Sequence, residues 1–168
     1  MDRKKILVYG YGNPGRGDDG LGPALAGRIE SEGREGVDTE CSYQLNIEDS
    51  IAVSGYDAVI FADAATGSDA SFKCSRLEPS LEISFTTHAM NPGSVLALCE
   101  DLFGIHVQAY MVAISGYIWN FGEGISARAV ENLEAALCCV HRMIDQLQKG
   151  EEPADVDACC PVQASGVR

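Results

Sequence analysis

The chain predicts an α/β fold, a three-layer αβα sandwich around a mainly parallel, doubly wound sheet. Two observations carry this. Short apolar runs alternate with stretches of helical spacing along the whole sequence, the pattern of successive βαβ units. The run Ala58-Val59-Ile60-Phe61-Ala62 is continuously apolar, as a strand covered on both faces requires.

Lys5 to Tyr11 reads as a buried strand, followed by a glycine-rich polar loop from Gly12 to Gly22. Pro23 is tolerated only in an opening turn, so a helix starts near it. Val37 to Tyr43 is a second, shorter strand. Asn46, followed by Glu48 and Asp49, gives a cap and an acidic first turn for a helix that Gly55 ends. Ala58 to Ala62 is the central strand, and Phe72 to Leu77 a weaker one. Pro92 to Phe103 reads as a helix and Val107 to Ser115 as another buried strand. Ser126 caps a long amphipathic helix to Leu147, with Val130, Leu133, Leu137, Val140, Ile144 and Leu147 as its apolar stripe. These elements place residues 1–148 in one domain. From Lys149 the periodicity stops, which predicts a disordered acidic tail over 149–168.

At 168 residues the chain suits one domain with a sizeable core. A net charge of −13 argues against nucleic acid, whose phosphates need clustered Lys and Arg, and against anionic membrane surfaces. No apolar run approaches the roughly eighteen residues of a membrane span. The basic start Met1-Asp2-Arg3-Lys4-Lys5 precedes only a strand-length apolar run with no small-residue cleavage site, so a cytoplasmic protein is expected. The seven cysteines are odd in number and lack CxxC spacing, which fits neither a disulfide framework nor a zinc site. Most of them are expected to be inert, reduced, small hydrophobes.

Gly10-Tyr11-Gly12-Asn13-Pro14-Gly15 is formally a GxGxxG after a strand, the pattern of a dinucleotide site. The neighbouring residues oppose that reading. Asp18 and Asp19 put negative charge where a pyrophosphate would approach, and Pro14 removes a backbone donor. The acidic ribose ligand expected about twenty residues on is missing, since Glu30 lies within a helix and Glu40 within a strand. No nucleotide cofactor is therefore expected. The glycines instead let the chain leave the strand sharply and present a carboxylate at the sheet edge.

Asp18 suits a helix cap, which leaves Asp19 for another task. Asp63, at the end of the central strand, reads equally as a site residue or a turn former. His88 lies in the polar loop Thr86-Thr87-His88-Ala89-Met90-Asn91, whereas His106 and His141 have structural settings. Two carboxylates and an imidazole would suit a borderline divalent metal with positions left open. Spacing alone leaves that assembly open.

Three segments together resemble the hydrogenase maturation endopeptidases. They are Gly10-Tyr11-Gly12-Asn13-Pro14-Gly15-Arg16-Gly17-Asp18-Asp19-Gly20-Leu21-Gly22, Val59-Ile60-Phe61-Ala62-Asp63-Ala64 and Thr86-Thr87-His88, in that order. The resemblance runs from Ile6 to about Leu147. It implies that Asp19, Asp63 and His88 converge as the catalytic, metal-binding triad, with Asp19 where some members carry Glu. It implies an endopeptidase that removes the C-terminal extension of a nickel-iron hydrogenase large-subunit precursor, the nickel being the substrate's own. Water could be activated by metal or by a carboxylate general base. No Ser or Cys setting suggests a covalent nucleophile. Tyr43-Gln44-Leu45-Asn46 and Ser115 to Glu123 resemble the branch serving soluble, cofactor-coupled hydrogenases. Tyr117, Trp119 and Phe121 read either as loop packing or as a surface for a peptide partner. The rival readings are a non-catalytic assembly factor for the same precursor and a nucleotide-binding oxidoreductase.

Overall fold

The computed structural model describes residues 2–66, 69–80 and 90–158. Its strands are β1 (Ile6–Tyr11), β2 (Val37–Ser42), β3 (Ala58–Ala65), β4 (Phe72–Leu77), β5 (Gln108–Ser115) and β6 (Val156–Ala158). Its α-helices are α1 (Leu21–Glu32), α2 (Asp49–Ser54), α3 (Pro92–Phe103) and α4 (Ala127–Gln148), with a 3-10 turn over Gly17–Gly20 ahead of α1. The strands form one sheet in the order β2-β1-β3-β5-β4-β6. The first four are mutually parallel, while β4 runs antiparallel to β5 and β6 antiparallel to β4.

Strand periodicity sorts the core into two layers. Ile6, Val8, Ile60, Ala62, Tyr110, Val112 and Ile114 face the helical layer of α1 and α4, where they meet Leu25, Ile29, Leu137, Val140 and Ile144. The alternate residues Leu7, Tyr9, Val59, Phe61 and Ala109 face the other way, onto Val53 of α2 and Val95, Leu96 and Cys99 of α3. Both faces of the central strands are therefore dry, which is why their sequences are continuously apolar rather than alternating. The expected three-layer αβα sandwich is the observed one.

The order of the strands also fixes where a site can lie. From β1 the chain moves outward to β2, then returns past β1 to β3 on its other side. The strand order thus reverses between β1 and β3, and a crevice opens beyond their carboxyl ends.

Element boundaries differ from the sequence reading in ways that have local causes. α1 begins at Leu21, so Pro23 still falls in the opening turn, where its missing N–H costs nothing. Asp18 does not cap this helix; its N-cap is Gly20, without a side-chain bond. α2 starts at Asp49 rather than from an Asn46 cap, and the Asp49 carboxylate reaches back to the Asn46 N–H at 2.6 Å. β3 continues to Ala65, so Asp63 is part of the strand and pairs in register with Ala113. In α4 the cap is Ser126 as expected, but Val130 is 42% exposed and does not belong to the buried stripe.

The expectation of disorder from Lys149 onward is corrected over residues 149–158. Val156 pairs with Cys74 and Ala158 with Phe72, adding β6 to the sheet edge. Pro153 is buried, and Val156 packs against the α1/α4 core. Asp155 accepts the Arg76 N–H at 2.8 Å, while Glu152 pairs with the Arg76 guanidinium at 3.1 Å. The acidic composition that suggested a solvated tail is used instead to hold Arg76 and Lys73 of β4.

Candidate active site

The site is built where β1 and β3 end. Glycine is forced at two close approaches. A Cβ on Gly10 would lie 2.1 Å from the carbonyl oxygen of Gly22, and one on Gly22 would lie 2.3 Å from that of Ala62. The start of α1 is thereby seated directly on the strand ends. At Gly12 φ is +137°, and a Cβ would fall 2.1 Å from the Asp19 carbonyl oxygen. These contacts press the loop back on itself and hold Asp19 over the sheet's end. The Asp19 carboxylate accepts the Asn13 N–H at 2.8 Å.

Asp63 follows the paired residues Gly10 and Ala62, one step further along β3. Its Oδ1 accepts its neighbour Ala64's N–H at 2.8 Å. Burial pushes its pKa up to about 6, with the Asp19 charge acting in the same direction; the Ala64 N–H and a bond from the Tyr11 hydroxyl partly oppose this. Tyr11, the last residue of β1, is raised as well, first by burial and then by the Asp63 charge and hydrogen bond. Its hydroxyl also lies 3.9 Å from the Met111 sulfur. Asp19, Asp63 and Tyr11 thus form one electrostatically linked group at the switch point of the sheet.

Beside this group a cleft of about 320 Å³ is lined by Gly12, Pro14, Pro23, Cys41, Ser42 and Tyr43. Gly12 belongs to both, contacting Asp19 on one side and bordering the cleft on the other. No lining side chain carries a formal charge, which distinguishes the cleft from the acidic residues around it.

Of the predicted triad, Asp19 and Asp63 are brought together, and His88 lies outside the described residues. Among the described residues no three His, Cys, Asp or Glu side chains form a group able to hold a metal. The Asp19–Asp63 pair offers hard oxygen donors, so it fits part of a mixed oxygen–nitrogen ligand set. His106 and His141 are engaged elsewhere, with Glu100 at 2.6 Å and Glu32 at 3.2 Å, in keeping with structural roles.

Two contributors escaped the sequence reading. Tyr11 could have been found from its place at the end of a strand next to Asp63's. Asp18 could not. It is fully buried and accepts the N–H groups of Tyr117, Ile118 and Ser126 at 2.7–3.0 Å and the Ser126 hydroxyl at 2.8 Å. Burial alone would raise its pKa, but these four bonds outweigh it and hold the carboxyl below its ordinary range.

Asp18 thereby pins the loop after β5 to the 3-10 turn that carries Asp19. The aromatics of that loop differ in how far they are engaged. Tyr117 stacks with Arg128 at 4.3 Å and its hydroxyl accepts from Asn132, while Arg16 donates to the Trp119 carbonyl. Phe121 is 76% exposed, with Arg16 over its ring at 5.7 Å.

No protein-family model and no curated protein sequence matches the chain. Solved structures do. The NiFe hydrogenase maturation protease HycI from Thermococcus kodakarensis KOD1 superposes with a TM-score of 0.68 at 19% identity, over 86% of this chain and 95% of that one. The hydrogenase maturating endopeptidase HybD from E. coli gives a TM-score of 0.65 at 19% identity, covering 84% and 93%. The hydrogenase 2 maturation peptidase from Thaumarchaeota archaeon SCGC_AB-539-E09 gives 0.61 at 21%, covering 84% and 98%. At nearly full length on both sides, the chain has the fold of the hydrogenase maturation proteases.

Proposed function

We propose that this protein is an endopeptidase that removes the C-terminal extension from the nickel-loaded precursor of a nickel-iron hydrogenase large subunit. The observation that carries this reading is the Asp19–Asp63 carboxylate pair at the switch point of the maturation-protease fold, with the Asp63 pKa raised to about 6. A carboxylate of that pKa is still largely ionised at neutral pH, yet more basic than an exposed one, as a general base for water requires. In the proposed reaction Asp63 takes a proton from water as its oxygen attacks the scissile carbonyl. The proton then passes to the departing amine. Asp19, His88 and the second Asp63 oxygen would hold the nickel that the substrate carries, which would fix the position of the precursor.

The uncharged cleft beside Gly12, with its volume of about 320 Å³, has room for a peptide side chain next to the cut. The close approach of Gly22 to Gly10 and of Asp19 to Gly12 gives these glycines a packing reason, which supports the peptidase reading over a dinucleotide site. The test is to incubate the protein with nickel-loaded precursor and follow the large subunit's mass. Loss of the C-terminal peptide is the expected result. Stable binding without cleavage would instead make the protein an assembly factor. Asp19→Asn and His88→Ala are each expected to stop cleavage.

A further inference from the structure

Away from the carboxylate pair, two sulfurs meet between the sheet and its helical layer. Cys74 lies in β4 and Cys139 in α4, both buried in the α1/α4 core and both free thiols. Their Sγ atoms are 3.4 Å apart although the residues are 65 positions apart in the chain. Beside Cys139 a cavity of about 150 Å³ is lined by Arg142, Met143, Gln146, Ala154 and Val156. That is room for several water-sized molecules, and so for a small peroxide.

We propose that Cys74 and Cys139 form a redox modification site, a dithiol that hydrogen peroxide closes into a disulfide joining β4 to α4. Cys139 is the attacking sulfur. It borders the cavity, and its hydrogen bond with Cys74 holds its pKa down against burial, with the Arg142 charge assisting. Thiolates rather than thiols attack peroxides. A bond forms between the Cys139 sulfur and one peroxide oxygen while the O–O bond breaks. The departing hydroxide takes up a proton to become water. The Cys74 sulfur then attacks the resulting sulfenic acid, the S–S bond forms, and the S–O bond breaks. The second hydroxide leaves as water with the Cys74 proton. In sum, two thiols and one peroxide give one disulfide and two waters, a two-electron oxidation.

The proposal does not depend on the peptidase reading. The experiment treats the full-length native protein with a few equivalents of hydrogen peroxide, blocks remaining thiols with N-ethylmaleimide, digests it and maps the cysteines by mass spectrometry. The expected product is a peptide pair joining Cys74 to Cys139, two hydrogens lighter than the free peptides and released by dithiothreitol. Cys138→Ser, which removes the exposed neighbouring thiol, should leave the linkage in place. Cys139→Ala should leave Cys74 reduced. The oxidised protein should melt higher, by roughly 5 °C or more, because the cross-link restricts the unfolded chain. Recovery of Cys74 and Cys139 as unlinked thiols after peroxide treatment, or linkage of either mainly to another cysteine, would overturn the proposal. The mapping of the unaltered chain decides the matter even if Cys139→Ala fails to fold.

Discussion

Ser126 gives both its backbone N–H and its hydroxyl to the carboxylate of Asp18, at 2.7 and 2.8 Å. The same serine caps α4, its oxygen accepting the Ala129 N–H at 3.3 Å. One buried carboxylate therefore ties the turn before α1, the loop after β5 and the start of α4 together. Asp18→Ala would strand these donors without partners. The expected loss is about 3–5 kcal/mol of stability, measured by urea unfolding at pH 7.

The pH dependence of that contribution has a definite sign. The folded-state pKa of Asp18 lies below its unfolded value, so its stabilisation is present above about pH 4 and lost as pH falls through the folded value. Unfolding free energies from pH 7 downward should therefore fall more steeply for the unaltered chain than for Asp18→Asn. Parallel curves would show that the Asp18 charge contributes nothing.

Asp63 has the opposite sign. Its folded pKa is raised to about 6, so its ionisation opposes folding, and stability is lost as pH rises from about 4 through 6. Asp63→Asn should stabilise the protein by about 1–2 kcal/mol at pH 7, with the gain shrinking as pH falls from about 6 to about 4. The same variant should abolish processing of the precursor. Thermal melts beside a cleavage assay measure both.

Tyr11→Phe tests the coupling within the proposed site. The Tyr11 hydroxyl favours ionised Asp63, so its removal should move the acid limb of the kcat/KM profile upward from about pH 6. The expected displacement is about half a pH unit to one unit. A profile that keeps its midpoint would separate Tyr11 from the reacting carboxylate.

Truncation after Lys149 should lower stability by about 1–3 kcal/mol, because it removes buried Pro153, the packing of Val156 and the β6 ladder. A melting temperature equal to that of the full chain would show that β6 contributes nothing to folding.

The layers were legible in the sequence because they follow from periodicity over many residues. The bounds of β4 and α3 are those expected, and Ser126 declares its cap through residue type. Asp19 and Asp63 were candidates because one follows β1 and the other stands near the end of β3, and such strand ends converge at the switch point. Asp18 was not, since its partners lie about a hundred positions away and nothing local distinguishes a buried acceptor from a helix cap. β6 was hidden for a related reason. Three residues are too few to show alternation, and its acidic neighbours gain their partners only through the distant Arg76 and Lys73.

The two sides of the sheet are closed off differently. β2 carries exposed Asp38 and Glu40, whose like charges discourage a second sheet from joining there. On the other side β6 pairs along Phe72 to Cys74 of β4, and the charged Lys73 and Arg76 of β4 meet acidic residues on and beside β6. Shortening the chain would uncover a row of unpaired amides beside an apolar surface, which is a template for self-association. The residues after α4 thus serve colloidal stability as well as folding, and their loss should register in light scattering at temperatures well below the melt.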